Sequence, residues 1–300
     1  MTKHFIDFDD HSSEDLQGII DAAISLKQSH KSGEINDSLK NKTLAMIFDK
    51  SSTRTRVSFE AGMTQLGGHS LFLSDRDIQI GRGEPITDSA IVISSMVDCV
   101  MMRVSSHDDI KTFAKHASTP IINALSDQSH PCQILADLMT YQEHRGPIKG
   151  KKVTWIGDGN NVCQTYMQAA ERFDFELVIS TPKGYEPTRD FIEKYQHNIK
   201  YCADATQACN NADIVVTDVW ASMGMESEQK ARELAFKDYQ VNQTMMQSAA
   251  EDALFMHCLP AHRGEEVSSD VIDGNQSVIW DEAENRLHAQ KALLLFLMNG

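Results

Sequence analysis

The chain has 300 residues, 41% of them hydrophobic, and a formal net charge of −15 at pH 7. This length allows one large domain or two of ordinary size, and the apolar content is sufficient for real hydrophobic cores. The acidic balance argues against a nucleic-acid or anionic-membrane partner, although a local group of arginines could still bind an anionic substrate.

The N-terminus and the cysteines predict a cytoplasmic protein. The N-terminal stretch is acidic and contains neither a secretory h-region nor an Arg-rich transit sequence, and no apolar run is long enough to span a bilayer. The six cysteines are scattered, without a Cys-x-x-Cys pair. Since disulfides are rare in the cytoplasm, we interpret the cysteines as reduced thiols.

The first half of the chain alternates predicted strands and helices. A capped helix begins at Ser12, and apolar runs predict four strands, at 43–48, 69–74, 99–104 and 120–124. Strands that alternate with helices favour a parallel sheet, whose ligands bind beyond the carboxyl ends of the strands. The notable polar residues of this half fall at those ends: Ser52 to Arg56, Arg103, His130 and Gln133.

The stretch that follows the first strand has the chemistry of a phosphate site. Residues 52–56, Ser-Thr-Arg-Thr-Arg, bring three hydroxyl and two guanidinium groups to the start of a predicted helix. The first turn of a helix has unpaired backbone N–H groups and the positive end of the dipole, which together favour an anion. Capping would explain Ser51 or Ser52, but not two cations here. Arg56 is predicted to pair with Glu60 along the helix.

A second α/β series begins after Gly146-Pro147. Its predicted strands lie at 152–156, 176–180, 212–217 and 254–256. The turn at 157–162 matches the dinucleotide fingerprint only in part, because Val162 occupies the place of the third glycine and no acidic residue ends the next strand. Nicotinamide binding is therefore disfavoured, and we interpret the turn as close packing of strand and helix.

These patterns predict an α/β fold of two doubly wound parallel-sheet domains, with the active site in the cleft between them. One rim is cationic and suits an anion. The other rim offers a carboxylate from Asp218, an amide from Asn160 or Asn161, and a thiol from Cys258, and suits an amine or an amino acid.

Four motifs together resemble those of ornithine carbamoyltransferases, within the aspartate/ornithine carbamoyltransferase family, over nearly the whole chain. They are residues 52–56, His130-Pro131-Cys132-Gln133, the segment from Asp218 through Ser222-Met223-Gly224, and His257-Cys258-Leu259-Pro260. The first two are shared with aspartate carbamoyltransferases and indicate carbamoyl phosphate. The last two are typical of the ornithine enzymes.

The resemblance implies a reaction and a domain arrangement. The neutral side-chain amine of ornithine attacks the carbonyl carbon of carbamoyl phosphate, phosphate leaves, and citrulline forms without a cofactor, a metal or a covalent enzyme intermediate. Carbamoyl phosphate is bound by residues 1–145 and ornithine by residues 146–285, and a C-terminal helix at 286–300 packs back on the first domain. A homotrimer that serves arginine biosynthesis or catabolism is implied as well.

The resemblance also implies the site residues. The catalytic residues are Cys258, Arg103, His130 and Asp218. The carbamoyl phosphate contacts are Ser52, Thr53, Arg54, Thr55, Gln79, Arg103, His130, Gln133, Cys258, Leu259 and Arg286. The ornithine contacts are Asn161, Asp218, Ser222 and Met223.

Other hypotheses remain open from the residues alone. The acceptor could be putrescine, which would leave Asp218 and Asn161 without partners, or an acylated ornithine, which would require a changed Ser-Met-Gly loop. A nicotinamide dehydrogenase and a non-catalytic anion-binding protein are the alternatives from other classes.

Two minor interpretations concern the stretch near the last motif. Zinc binding by His257, Cys258 and His262 is disfavoured, because two of the ligands are adjacent and a fourth is missing. Glu265 and Glu266 are predicted to form a solvated face.

Overall fold

The computed structural model describes residues 2–74, 83–221 and 228–299. The chain divides into two compact units, which we call unit 1 (Met1–Met139 with Glu284–Gly300) and unit 2 (Thr140–Ala283). Each unit contains a parallel sheet with helices between its strands. The prediction of two parallel-sheet α/β units is therefore confirmed.

In unit 1 the described strands follow the order β2-β1-β3-β4, and every pair is parallel. The strands are β1 (Thr43–Phe48), β2 (His69–Ser74), β3 (Cys99–Arg103) and β4 (Ile121–Leu125). Strand β1 is buried from Leu44 to Phe48, as expected for a central strand covered on both faces. Strand β2 is at the edge and alternates in exposure at its start. Phe5 forms a parallel bridge with Ile122 and brings the N-terminal segment beside β4.

In unit 2 the described strands follow the order β7-β6-β5-β8-β9, again all parallel. The strands are β5 (Lys152–Ile156), β6 (Glu176–Ser180), β7 (Ile199–Tyr201), β8 (Ile214–Thr217) and β9 (Leu254–His257). Strand β7 was not predicted, because its three residues are polar or partly exposed and carry no apolar run. Strand β8 begins after Asp213, whose carboxylate accepts the backbone N–H of Lys152 at 2.8 Å.

The helices connect these strands and cover the sheets. In chain order they are α1 (Ser13–Lys31), α2 (Thr53–Gln65), α3 (Ile86–Ser94), α4 (His107–His116), α5 (Pro131–Arg145), α6 (Asn161–Phe173), α7 (Arg189–Lys194), α8 (Ala205–Ala208), α9 (Gln229–Phe236), α10 (Gln243–Ser248), α11 (Ser269–Ile272) and α12 (Ile279–Met298). No helix among the described residues has the length and apolar character needed to cross a membrane.

Helix α12 has 20 residues and begins seven residues before the C-terminal helix expected at 286–300. Its first turns carry the polar stretch from Asp281 to Arg286, where no helical apolar pattern is visible in the sequence. Asp281 and Glu282 lie in the first turn, where acidic side chains stabilise a helix by their interaction with the positive end of its dipole.

Candidate active site

The N-terminus of α2 is capped by Ser52, as the capping interpretation predicts. The Ser52 hydroxyl accepts the Thr55 N–H at 3.4 Å and donates to Thr55 Oγ1 at 3.0 Å. Thr55 is buried, and Arg103 Nη1, at the end of β3, lies 3.5 Å from its hydroxyl oxygen. The first turn of α2 and the end of β3 therefore meet at this hydroxyl group. Thr53, in the same first turn, is exposed.

The two arginines of the motif have different surroundings. Arg56 forms the predicted ion pair with Glu60, with Nε 3.0 Å from Oε1, and its guanidinium lies 3.9 Å from the ring centre of Phe72. Arg54 is half-buried and acts electrostatically on His130. Of the two, Arg54 is therefore the arginine whose charge reaches His130.

Helix α5 presents the second motif. His130 lies just before α5 and is 5% exposed. The amide of Gln133 is oriented by two contacts: Arg286 Nη1 donates to Gln133 Oε1 at 2.7 Å, and Gln133 Nε2 donates to Asp137 Oδ1 at 2.8 Å. The Gln133 amide is therefore held between Arg286 and Asp137.

The charge around His130 fixes its protonation state. Burial lowers the pKa of the His130 imidazole well below 6.5, and the positive charges of Arg286, Arg103 and Arg54 lower it further. His130 is therefore neutral at pH 7, and one ring nitrogen carries a proton while the other is an acceptor. Three guanidinium groups and a neutral imidazole thus occupy one region of unit 1, which suits a phosphorylated substrate.

In unit 2 the Asp218 carboxylate lies at the centre of a hydrogen-bonded group. Its Oδ1 accepts the Val219 N–H at 2.8 Å and the Cys258 thiol at 3.1 Å, and its Oδ2 accepts Asn160 Nδ2 at 2.8 Å. Asp218 is 7% exposed. The ends of β8 and β9 therefore bring together Asp218 and Cys258, which the sequence predicted as a pair.

The two adjacent asparagines have different positions. Asn160 is the N-cap of α6, and its side-chain oxygen accepts the N–H groups of Val162 and Cys163 while its nitrogen holds Asp218. Asn161 begins the helix, and its Oδ1 accepts the Val162 N–H at 3.0 Å. The predicted ornithine contact Asn161 lies next to the residue that contacts Asp218.

The glycine-rich turn before α6 is tightly packed. A Cβ atom at Gly159 would lie 2.2 Å from the backbone nitrogen of Pro187. Glycine at this position is thus required by the close approach of the chain itself, which agrees with the interpretation of the turn as strand–helix packing.

The turn after Cys258 has an unusual backbone, held by a buried histidine. Leu259 has φ of 56° and precedes a cis bond to Pro260. The Leu259 N–H donates to His257 Nδ1 at 2.9 Å, so the proton of the neutral ring is on Nε2 and is donated to Glu266 Oε1 at 3.1 Å. The prediction that Glu266 lies on a solvated face is wrong: Glu266 is fully buried, because it serves as the acceptor of His257.

A second buried pair was not predicted. Arg232 on α9 donates from Nη1 to Asp158 Oδ2 at 2.7 Å and to the Trp220 carbonyl oxygen at 2.8 Å. Burial raises the pKa of Asp158, whereas the ion pair with Arg232 acts in the opposite direction. Asp158 and Arg232 are too far apart in the sequence for a local motif to predict their contact. The position of Asp158 at the end of a strand could nevertheless have marked it as a candidate site residue.

Among the residues that the structure describes, two groups have ligand atoms close enough for a metal ion: Asp218, His257 and Cys258, and His262, Glu265 and Glu266. In the first group both ring nitrogens of His257 are engaged by Leu259 and Glu266. A metal there would have to displace one of these bonds. Three predicted contacts, Gln79, Ser222 and Met223, lie outside the described residues.

Comparisons with known proteins extend over both units. The family model described as "Aspartate/ornithine carbamoyltransferase, carbamoyl-P binding domain" matches residues 3–143, and the model described as "Aspartate/ornithine carbamoyltransferase, Asp/Orn binding domain" matches residues 149–297.

Individual relatives match along the full length. A protein of Ruthia magnifica subsp. Calyptogena magnifica, named ornithine carbamoyltransferase, is 68% identical over 299 residues. The match covers 100% of this chain and 100% of that protein. The solved ornithine carbamoyltransferase of Burkholderia thailandensis is 52% identical with a TM-score of 0.92, covering 99% of this chain and 98% of that chain. That of Pyrococcus furiosus is 48% identical with a TM-score of 0.95, covering 100% and 98%.

Proposed function

Because the chain belongs to the aspartate/ornithine carbamoyltransferase family, we propose that it transfers the carbamoyl group of carbamoyl phosphate to the side-chain amine of L-ornithine. The products are L-citrulline and phosphate. The observation that favours ornithine as the acceptor is the 3.1 Å contact between the Cys258 thiol and the Asp218 carboxylate. A buried carboxylate attracts an amine-bearing acceptor and repels the second carboxylate of aspartate.

The phosphate group is held by Ser52, Thr53, Arg54 and Thr55 at the N-terminus of α2. Support comes from the capped first turn and from the positive field of Arg54, which also acts on His130. Backbone N–H groups, hydroxyl groups and a guanidinium together stabilise the charge of phosphate as it leaves. Gln79 completes this set as a further contact.

The carbonyl oxygen of carbamoyl phosphate is polarised by Arg103, His130 and Gln133. It gains negative charge when the amine attacks, so preorganised donors lower the barrier. A neutral His130 can donate one N–H to this oxygen, and the side-chain amide of Gln133 is placed beside it by Arg286 and Asp137. Arg286 orients Gln133 through their 2.7 Å hydrogen bond and adds positive charge.

The amino-acid end of ornithine is bound by Asn161, Asp218, Ser222 and Met223. Cys258 and Asp218 position the side-chain amine and remove its proton, since only the neutral amine has the lone pair that attacks. The carbonyl carbon then becomes tetrahedral, its bond to the phosphate oxygen breaks, and phosphate leaves. Leu259, in its unusual turn, contacts the carbamoyl group.

We further propose a cytoplasmic homotrimer, without a nucleic-acid or membrane partner, in which residues 1–145 and 146–285 serve as the two substrate-binding domains. Support for assembly comes from apolar side chains that remain exposed on α2, on edge strand β2, on α3 and just after α3 in the single chain: Val57, Leu71, Ile91, Val92 and Met96. Sedimentation at several concentrations tests this proposal, and a monomer at every concentration would contradict it.

A citrulline assay tests the reaction. Carbamoyl phosphate is supplied in parallel with ornithine, putrescine, N-acetylornithine or aspartate. We expect citrulline with ornithine and no carbamoylated product with the other acceptors. Turnover with another acceptor would overturn the proposed role of Asp218 and its neighbours, and no turnover at all would return the non-catalytic binding protein to consideration.

A further inference from the structure

A buried chain of hydrogen bonds links the N-terminal segment to the loop that precedes His130. Asp7 Oδ2 lies 3.0 Å from His107 Nε2, and His107 Nδ1 lies 2.8 Å from Ser126 Oγ. An ionised carboxylate only accepts hydrogen bonds, so Nε2 carries the ring proton and donates it to Asp7. In the tautomer with this proton on Nε2, Nδ1 is the acceptor and the Ser126 hydroxyl donates to it.

This order of Ser, His and Asp is the one found in acyl-transfer triads, but the serine cannot act as a nucleophile here. Ser126 is fully buried, and its oxygen accepts the Ser129 N–H at 3.2 Å and is approached by Asn123 Nδ2 at 3.4 Å. A fully buried hydroxyl group that donates to His107 and accepts from Ser129 is out of reach of a substrate. The arrangement therefore holds the backbone in place.

Asn123, at β4, joins the same network from the opposite side. Its Nδ2 donates to the Ile6 carbonyl at 3.0 Å and to Ser129 Oγ at 2.9 Å. The N-terminal segment is fixed beside β4 by two backbone bonds of 2.8 Å, from Phe5 N to Ile121 O and from Asn123 N to Phe5 O. The loop at 126–130 is thus bound to the N-terminal segment through Asn123 and His107.

The same loop is connected to the end of β3, which carries Arg103. The Val104 N–H donates to Leu125 O at 3.1 Å and the Asp127 N–H donates to Ser105 O at 2.9 Å. The His107 N–H donates to Asp127 Oδ1 at 3.1 Å. Through these bonds one network sets the path of the backbone on both sides of the loop, from Arg103 to the start of α5.

We propose that Asp7, His107, Ser126 and Asn123 form a positioning network for His130 and Gln133, so that the N-terminal segment takes part in catalysis without touching substrate. This inference rests on the proposed function, in which the loop carries carbamoyl phosphate contacts. None of the four side chains is among the proposed substrate contacts. Their effect is to hold the imidazole of His130 where a donor to the carbonyl oxygen is needed, and small misplacements of such groups are costly.

Two isosteric substitutions of His107 separate positioning from general stability. An Asn side chain places its amide near the Nδ1 position and can keep the bond to Ser126, whereas a Gln side chain reaches the Nε2 position and keeps only Asp7. Positioning predicts that His107→Gln raises the KM for carbamoyl phosphate and lowers kcat, by about 10- to 100-fold in kcat/KM. His107→Asn, which keeps the bond to Ser126 but loses the bond to Asp7, is expected to recover part of this loss. The KM for ornithine is expected to change less than twofold in both variants.

The matched control is His144→Gln, since His144 also faces a carboxylate, Asp281, at 2.8 Å but outside the network. We expect its kinetics to equal those of the unmodified chain. Melting temperatures are measured for all variants. If the kinetic loss follows stability alone, so that His107→Asn and His107→Gln lose activity in proportion to their melting temperatures, the positioning role is overturned.

An NMR measurement keeps the inference separate from the proposed function. The imidazole ¹⁵N–¹H resonances of His130, assigned with His130→Gln, are compared between the unmodified chain and Ser126→Ala. We expect a clear shift or broadening of the His130 signals even if the chain forms no citrulline. An unchanged His130 spectrum in a folded Ser126→Ala protein would overturn the network, whatever the enzymatic activity.

Discussion

The guanidinium of Arg286 donates to the amide oxygen of Gln133 at 2.7 Å, and the two residues are 153 positions apart in the sequence. Both are buried. The bond orients the Gln133 amide so that its nitrogen donates to Asp137 Oδ1. It also explains why residues 284–300 group with unit 1, although the family model for the Asp/Orn binding domain extends to residue 297.

Removing this guanidinium should weaken carbamoyl phosphate binding. In Arg286→Met the Gln133 oxygen loses a charged donor, and such bonds contribute about 1.5–3 kcal/mol. We therefore expect kcat/KM for carbamoyl phosphate to fall by about 10- to 100-fold. Arg263→Met is the control, because Arg263 forms an exposed ion pair with Asp273. Equal kinetics for the two variants would contradict the role of Arg286.

The two arginines of the first motif provide a second comparison within one helix turn. Arg54→Ala should raise the KM for carbamoyl phosphate and reduce turnover by well over about tenfold, because a charge that stabilises the leaving phosphate is lost. Arg56→Ala should leave the kinetics nearly unchanged, since it removes only an exposed pair with Glu60 and a contact with Phe72. Near-normal kinetics of Arg54→Ala would remove the phosphate role from this turn.

Cys258 should matter for ornithine more than for carbamoyl phosphate. The substitution Cys258→Ser replaces the thiol that contacts Asp218 at 3.1 Å with a smaller hydroxyl group. We expect kcat to fall and the KM for ornithine to rise, while the KM for carbamoyl phosphate stays within about threefold. Cys202→Ser, at a half-buried cysteine of the same unit, serves as the control. Unchanged ornithine kinetics would exclude Cys258 from the site.

The lowered pKa of His130 has a consequence for pH dependence. The folded protein keeps His130 neutral well below pH 6.5, whereas the unfolded chain protonates this histidine near its ordinary pKa of about 6.5. The unfolded state therefore binds more protons, and the free energy of unfolding falls as pH decreases through and below this value.

Melting curves between pH 5 and pH 8 test this consequence. His130→Gln should lose less stability on acidification than the unmodified chain, and the exposed His116→Gln should behave like the unmodified chain. The pH profile of kcat/KM for carbamoyl phosphate gives a second test. Any inflection near pH 6.5 should persist in His130→Gln, because His130 does not cause it. An identical acid dependence of the melting temperature in His130→Gln and the unmodified chain would show that His130 is not held neutral.

Much of the fold could be predicted, since buried parallel strands are continuous apolar runs. Strands β1, β2, β5 and β6 have the predicted bounds, because their residues carry the pattern themselves. Strand β7 and the first residues of α12, 279–285, were missed. No local apolar periodicity marks the short edge strand β7 or the tertiary contact of Asn285 with Lys27.

The candidate site divides in the same way. Residues at strand ends, such as Arg103 and Asp218, follow from topology. The buried state of Glu266 does not, because two adjacent glutamates are typical of a solvated face and only the folded position of His257 supplies the partner. The pair of Asp158 and Arg232 likewise depends on a contact between residues 74 positions apart.

The ion pair of Asp158 and Arg232 leads to the last prediction, which concerns the stability of unit 2. Arg232→Met leaves the Asp158 carboxylate buried without its cation, and breaking a buried pair costs about 3–5 kcal/mol. The cost should be smaller at pH 5 than at pH 8, because loss of the cation raises the pKa of Asp158 further and a protonated carboxyl needs no counter-charge. Arg145→Met is the control, since Arg145 also donates to a backbone carbonyl, of Asp252, but from an exposed position. Chemical unfolding at both pH values measures these differences, and the double variant with Asp158→Asn should recover part of the loss. Two results would show that the ion pair is not what stabilises the ends of β5 and β8 around Asp218. One is that Arg232→Met is as stable as Arg145→Met at pH 8. The other is that the losses of unfolding free energy of Asp158→Asn and Arg232→Met add fully in the double variant.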